Sequence, residues 1–412
     1  MTINFKKSLE YTIALLFFLF PILSIIVQHW VSFTFSVLVI GGLFFSLKNW
    51  KLLTSEEMKI FMGFAIFCAL IALSFFEVDD IRDGFRYFEK YTSFCLIIFA
   101  YLFVKRLNFN FANYFIAGCV VAPAIWLAYY FATTTGTGRP HWAYYAIFIG
   151  DFATLIASLS IVYLLTLADS NLKKYISLGV FFLATTLAVL SATRGAWIYY
   201  PVLLFVLIFL YRKTINAKQW LVGITIIVSM SFFLIYQPPK VIKTRINSAL
   251  INYESYQAGT GDYNAIGGRL EMWIDSVKFF IESPLVGIGL SDFESHSSAL
   301  VSKGELRPRA NYGHAHSIYF NTLATTGLIG FVGLIFFVFW LPFKFFLRIW
   351  SNANSNHLKF YSLAGVVLIT SFMVFGLTES WLSRNPLVKT YLIIMVLLIS
   401  SIVTTSKPEN LK

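Results

Sequence analysis

Long apolar segments separated by short polar connections occupy almost the whole chain. The segments fall at 11–29, 31–47, 60–76, 92–104, 111–131, 143–167, 175–193, 196–211, 219–236, 317–342, 358–378 and 387–405. A segment of about 20 apolar residues can cross the hydrocarbon core of a bilayer as a helix, so the pattern predicts an all-α polytopic membrane protein with about 12 transmembrane helices. The fourth segment is short, and its helix is expected to begin earlier, within 85–91.

The amino-acid composition supports a membrane protein and excludes an ordinary soluble domain. Of the 412 residues, 58% are hydrophobic and 13% charged, whereas soluble domains carry about 25% charged residues. The net charge of +12 comes from dispersed residues, so membrane lipids are an expected partner and nucleic acid is not. Cys68, Cys95 and Cys119 lie in apolar segments, which argues against a disulfide framework and a thiolate metal site.

Basic residues are divided unevenly between the two alternating sets of connections. One set carries 17 Lys and Arg residues, and the short connections of the other set carry 7. The smaller set consists of Arg82, Arg86, Lys90, Arg139, Arg194, Arg384 and Lys389. Because cytoplasmic connections are enriched in Lys and Arg, both termini are expected in the cytoplasm and the long connection 237–316 on the opposite side. The first segment follows Lys6 and Lys7 as in a signal peptide, but no cleavage site follows, so it is interpreted as a retained span.

These connections divide the chain into three parts. Residues 1–236 contain transmembrane helices 1–9, residues 237–316 form the large outer loop, and residues 317–412 contain helices 10–12 and a short cytoplasmic tail. A loop of this length in a compact protein usually carries function. Apolar positions recur in it at intervals of three and four, which predicts an amphipathic surface helix near 269–282 that lies on the membrane or caps a cavity between spans.

Two arginines on the outer side have unusual positions. Arg194 lies in SATRGAW, between two apolar segments with almost no loop, so it is held at the outer membrane face. Arg269 lies in the first turn of the loop helix, where a cation opposes the helix dipole unless an anion is near. Arg194 could be an interface residue or part of an ion pair, and Arg269 a solvated side chain. Alternatively, both bind an anionic substrate, because guanidinium holds its charge and binds phosphate through two donors.

His314 and His316 precede the tenth apolar segment and are separated by one residue. On an extended segment they point the same way, and on a helix they diverge. A histidine pair of this spacing can begin a zinc site, but no third ligand is recognisable, so no metal is predicted. Plain surface histidines remain an alternative. A general base at the outer face fits better, because histidine titrates near neutral pH and can accept a hydroxyl proton.

Carboxylates are a competing set of candidates. An acidic cluster at 77–83 is interpreted as a solvated turn that pairs with Arg82 and Arg86, with a cation site as the alternative. Asp151 lies inside the sixth apolar segment, where a lone carboxylate is costly. It either faces a polar cavity and pairs with an arginine, or the span begins deeper than the pattern indicates.

Several motifs resemble the O-antigen ligase and polymerase family of bacterial inner-membrane glycosyltransferases. They are SATRGAW (191–197), GGRLEMW (267–273), SPLVGIGLSDF (283–293) and HAHSIYFNTLATTGLIGF (314–331), with weaker matches at GFRY (84–87) and TGRPHW (137–142). The resemblance implies a catalytic role for His316, with Ser317 in place of the family's asparagine. It also implies diphosphate binding by Arg194 and Arg269. Arg86, Arg139 and His314 are further candidates for substrate binding.

The chemistry that the resemblance implies is glycosyl transfer from undecaprenyl diphosphate at the periplasmic face of the inner membrane, with inversion and with no metal or other cofactor. A ligase passes the glycan to the lipid A core, and the single large outer loop favours this reading. A polymerase, which joins lipid-linked repeats, is the first alternative. A flippase for the same lipid-linked glycan is the second, although no internal repeat supports it.

Overall fold

The computed structural model describes residues 3–46, 52–134, 139–140, 142–212, 247, 250–251, 254, 266–304 and 313–406. Within these ranges the protein is helical and contains no strand. The helices are α1 (Ile3–Leu23), α2 (Trp30–Ser46), α3 (Ser55–Ala72), α4 (Ile81–Leu107), α5 (Phe111–Thr133), α6 (Ala146–Thr166), α7 (Asn171–Leu190), α8 (Arg194–Trp197), α9 (Tyr199–Tyr211), α10 (Ile266–Glu282), α11 (Phe293–Ser302), α12 (Ile318–Gly333), α13 (Leu341–Ser351), α14 (Asn356–Phe375) and α15 (Asn385–Ser406). The predicted all-α class is confirmed.

Nine of the described helical stretches are long and apolar enough to cross a membrane, and Trp30–Phe45 is a shorter apolar helix. The ninth predicted segment, 219–236, and the loop residues 255–265 lie outside the described residues. The fourth helix begins at Ile81, earlier than expected, because the Asp80 side chain caps it by accepting a hydrogen bond from the Arg82 backbone N–H. The tenth segment continues through a π-helical turn, Leu334–Trp340, as far as Ser351.

Helices α6, α14 and α15 form the centre of the bundle. In the most apolar stretch of each helix, 78% of the residues are buried in α6 and 83% in both α14 and α15. The corresponding share is 28% in α7 and 22% in Arg194–Tyr211. The outer helices present large apolar side chains such as Phe182 and Phe205 to the outside. A surface of this kind is stable against lipid and not against water, as expected for membrane spans.

The segment that follows α10 is joined to the bundle at a break in α12. Gly327 has a φ of +61°, and a Cβ at this position would clash with the Leu285 carbonyl carbon. The loop backbone occupies the break: Leu328 N–H donates to the Pro284 carbonyl, and Ile288 N–H to the Ala324 carbonyl. This packing explains why the SPLVGIGL and TTGLIG motifs occur together, since only glycine permits the close approach.

Helix α10 packs against α12 through a face that includes polar residues. Trp273 stacks on Phe320 with ring centroids 5.1 Å apart, and Asp275 is completely buried. Ile274 and Ile281, which belong to the predicted apolar face, are exposed instead. Burial raises the pKa of Asp275 to about 6, with Lys278 lowering and Glu271 raising it in smaller measure. The helix thus turns an apolar stripe outward, as a helix on a membrane surface does.

Candidate active site

His316 and Glu379 meet at one end of the bundle, where α14 ends and α12 and α15 begin. His316 lies two residues before the start of α12, and Glu379 follows α14. The His316 Nδ1 atom is 3.4 Å from Glu379 Oε2, with the imidazole 29% exposed and the carboxylate completely buried. A buried carboxylate beside an accessible imidazole is the arrangement of a general base and the group that orients it.

The backbone around His316 is fixed by its neighbours. His316 has a φ of +46°, in the left-handed region that residues other than glycine seldom adopt. On one side of it, the Ala315 carbonyl accepts from Trp273 Nε1, and the Ala315 N–H donates to Asn321 Oδ1. On the other side, the Ile318 N–H donates to the Gly376 carbonyl at 2.8 Å. Strained backbone of this kind persists where the surroundings over-determine it, as at many functional sites.

Arg384 holds the second oxygen of Glu379. Its Nε lies 3.3 Å from Glu379 Oε1, and its guanidinium carbon lies 4.9 Å from the centre of the Tyr145 ring. Burial alone raises the pKa of Glu379, but the contact with His316 and the charges of His316 and Arg384 hold it below its ordinary value. Glu379 therefore stays ionised at neutral pH and can stabilise a protonated imidazole.

Arg269 and Arg194 lie together beside this pair. Burial lowers the pKa of Arg269, the charge of Glu379 raises it, and the charge of Arg194 lowers it further. Gly195 brings the SATRGAW segment close, because a Cβ there would clash with Thr378 Oγ1, next to Glu379. The structure thus brings Arg194, Arg269 and His316 together, although their sequence positions span more than a hundred residues.

The remaining predicted residues have different surroundings. Arg139 donates from Nε to the Ser191 carbonyl at 2.9 Å, so it supports the segment that carries Arg194. The His314 and His316 rings are adjacent, with centroids 4.2 Å apart. Burial lowers the pKa of His314 to about 4, and the charges of His316 and Arg384 act in the same direction, so His314 is neutral at pH 7. Arg86 lies exposed on α4.

The sequence analysis did not identify Glu379 as a site residue. Its sequence signal was visible, because Glu379 is the single acidic residue between the last two apolar segments. Asp151, which the sequence analysis singled out, is buried in the second turn of α6, where the negative charge of Glu379 acts on it. Its Oδ2 makes no hydrogen bond to any residue that the structure describes. The acidic turn at 77–83 provides the Asp80 cap and the Asp79 N–H that donates to Asp292.

His314, His316 and Glu379 also bring possible metal ligands together. One atom from each lies within 4.8 Å of the others. The prediction of no metal rested on the lack of a third ligand, and the structure supplies one in Glu379. The positive charge of Arg384 on the same carboxylate disfavours a divalent cation, because like charges repel strongly where solvent is largely excluded.

Comparison with known proteins supports the resemblance of the sequence motifs. Residues 179–335 match the family model described as O-antigen ligase. This range includes Arg194, Arg269 and His316 and ends before Glu379. The chain is also 28% identical over 397 residues to an uncharacterized protein of Haemophilus influenzae, and the alignment covers 92% of this chain and 96% of that protein. These findings support an activity of the ligase or polymerase type.

Proposed function

Since residues 179–335 carry an O-antigen ligase family domain, we propose that the protein is a glycosyltransferase that ligates a lipid-linked glycan to the lipid A core. The donor is a glycan on undecaprenyl diphosphate, and the acceptor is a sugar hydroxyl at the periplasmic face of the inner membrane. The observation that carries the proposal is the His316–Glu379 pair beside Arg194 and Arg269, which combines a base with two cations for a diphosphate.

His316 acts as the general base. It accepts the proton of the acceptor hydroxyl while that oxygen attacks the anomeric carbon of the donor sugar. The bond between this carbon and the diphosphate oxygen breaks, and its electron pair leaves with undecaprenyl diphosphate. Attack from the face opposite the leaving group inverts the anomeric configuration. Glu379 stabilises the imidazolium that forms, as its ionised state and its 3.4 Å contact permit.

Arg194 and Arg269 bind the diphosphate and neutralise the charge that grows as it leaves. Guanidinium groups offer paired donors that match phosphate oxygens, and such groups act most strongly where water is largely excluded. Arg269 is partly buried, so it is desolvated before substrate binds. The uneven distribution of Lys and Arg supports a periplasmic position for this end of the bundle.

Replacing Glu379 by glutamine tests the orienting role. We expect the Glu379→Gln variant to lose about 100-fold in turnover, since general base catalysis contributes roughly 10²–10⁴-fold and the base itself remains. The loss should fall on kcat and leave acceptor KM nearly unchanged, because Glu379 stabilises the imidazolium that forms only as the proton is transferred. A loss that disappears when the rate is normalised to the amount of folded protein in the membrane would show that Glu379 serves folding alone.

Metal chelation tests the proposed mechanism independently. Purified protein treated with EDTA is expected to keep its full transfer rate, because the arginines supply the positive charge that a metal would otherwise provide. Transfer rates before and after chelation, and after adding Mg²⁺, Mn²⁺ or Zn²⁺, provide the measurement. Loss of activity that a divalent metal restores would instead assign His314, His316 and Glu379 as metal ligands.

A deletion strain distinguishes the proposed ligase from a polymerase. Glycans of the strain are separated on a gel, with separate extraction of lipid-linked material. A ligase defect leaves bare core and long lipid-linked chains, which is the expected result. Single repeats attached to the core would indicate a polymerase. Failure of lipid-linked glycan to reach the periplasm would indicate a flippase.

A further inference from the structure

A second group of cations lies on the His314 side of the His316–Glu379 pair. Lys90 of α4 lines a small cavity together with His314 and Ser383, which precedes Arg384. Lys90 is partly buried and lies within electrostatic range of Arg384 and Arg86. Lys90 therefore lies beside His314, and Arg384 lies next along the chain to the cavity residue Ser383.

This group is separate from the arginines assigned to the donor. The charges that act on Arg269 are those of Glu379 and Arg194. The charges that act on His314 are those of His316, Arg384, Glu379 and Lys90. Glu379 is common to both sets, whereas Arg194 acts on Arg269 and Lys90 acts on His314.

The second group has features of an anion site. Cations that share a partly desolvated opening repel one another, which costs electrostatic free energy. A bound anion offsets this repulsion. The Nε2 atom of His314 is buried and makes no hydrogen bond to any part of the chain that the structure describes. A buried nitrogen without a hydrogen-bond partner costs free energy. A hydrogen bond to an oxygen of a bound ligand would remove that cost. Arg384 uses Nε for Glu379, and its guanidinium carries further donors.

We propose that Lys90, Arg384 and His314 bind a phosphoryl group on the acceptor, close to the hydroxyl that His316 deprotonates. This inference rests on the proposed function, because it assumes that the donor diphosphate occupies Arg194 and Arg269. It goes further by assigning the acceptor a chemical class, that of a phosphorylated glycan. The phosphoryl group belongs either to a phosphorylated sugar of the lipid A core or to the diphosphate of a second lipid-linked glycan.

The test uses purified full-length protein in liposomes with a lipid-linked donor and a matched pair of acceptors. One acceptor is phosphorylated lipid A core, and the other is the same material after phosphatase treatment. The variants are Lys90→Gln, Lys90→Arg and the control Lys389→Gln, which removes a partly buried lysine that donates to Ser32. Acceptor kcat/KM and donor KM are measured for each protein.

We expect the wild type to prefer the phosphorylated core by about tenfold or more, the range of one hydrogen bond to a charged group. Lys90→Gln should lower kcat/KM for that acceptor by a similar factor, leave donor KM unchanged and have no effect with the dephosphorylated acceptor. Lys90→Arg and Lys389→Gln should behave as the wild type. If the wild type instead uses a second lipid-linked glycan, the same dependence on Lys90 should appear with that acceptor and disappear with its glycan released from the diphosphate.

Equal loss with both acceptors of a pair, or no loss with either, would overturn the acceptor site while leaving the proposed transfer intact. Absence of any transfer by the wild type would overturn the proposed function and the acceptor site together. Inorganic phosphate provides a measurement that does not depend on a variant's folding. It should inhibit the wild type competitively with the phosphorylated acceptor, and a lack of such competition would also contradict the site.

Discussion

Replacement of His316 by alanine is expected to lower glycan transfer by about two to four orders of magnitude, the usual contribution of a positioned general base. The variant loses the group that accepts the hydroxyl proton, while the diphosphate site at Arg194 and Arg269 remains. Lipid-linked glycan should therefore accumulate in cells, and the protein should stay in the membrane at its normal level. The measurement combines surface-glycan gels with a transfer assay on purified protein.

His316 also adopts a left-handed backbone conformation, so the variant needs structural controls. Alanine tolerates this φ poorly, and His316→Asn keeps a side chain that adopts it more readily while removing the base. We expect both variants to be equally inactive. His357→Ala removes an exposed histidine on α14, far along the chain from the site, and should leave transfer unchanged. Normal attachment in His316→Ala would contradict the catalytic assignment.

The helical fold could be predicted because bilayer spans have a local signature. Apolar length alone predicted each of the nine candidate spans among the described residues, and Asp80 moved one boundary because a side-chain cap operates outside the apolar run. Burial within the bundle could not be predicted in the same way. Helices α7 and α14 are both apolar, yet α14 is central and α7 is peripheral. Hydropathy measures transfer into an apolar surrounding and does not distinguish lipid from protein.

The site could be predicted in part. Arg194 stood out because a charge held at a membrane face is costly, and Arg269 because a cation at the first turn opposes the helix dipole. His316 stood out through the motif in which it lies. Glu379 did not, since its role depends on a contact across 63 residues of sequence, between His316 and a turn that looks unremarkable alone. The face of α10 that packs on the bundle could not be predicted from the sequence either. Its burial of Asp275 follows from the attachment of the loop at Gly327 and not from helical periodicity.

Exchange of Arg194 or Arg269 for lysine should reduce transfer by about 10²–10³-fold, although the charge is kept. Loss of one well-placed donor to a developing anion has this magnitude, and lysine cannot reproduce the planar pair of donors of a guanidinium. The reduction should appear mainly in kcat, because the charge on the leaving oxygen is greatest in the transition state. Weaker donor binding should accompany it to a smaller degree.

A matched control separates phosphate recognition from attraction of a cation to the membrane surface. Arg82→Lys changes an exposed arginine on α4 at the same end of the bundle and should keep the wild-type rate. The double variant Arg194→Lys, Arg269→Lys is expected to lose less than the product of the single losses, because both side chains act on one diphosphate. Near wild-type transfer by Arg194→Lys would show that this residue serves as an interface anchor. Fully multiplicative losses would place the two arginines on separate anions, and the donor site would then need a different second cation.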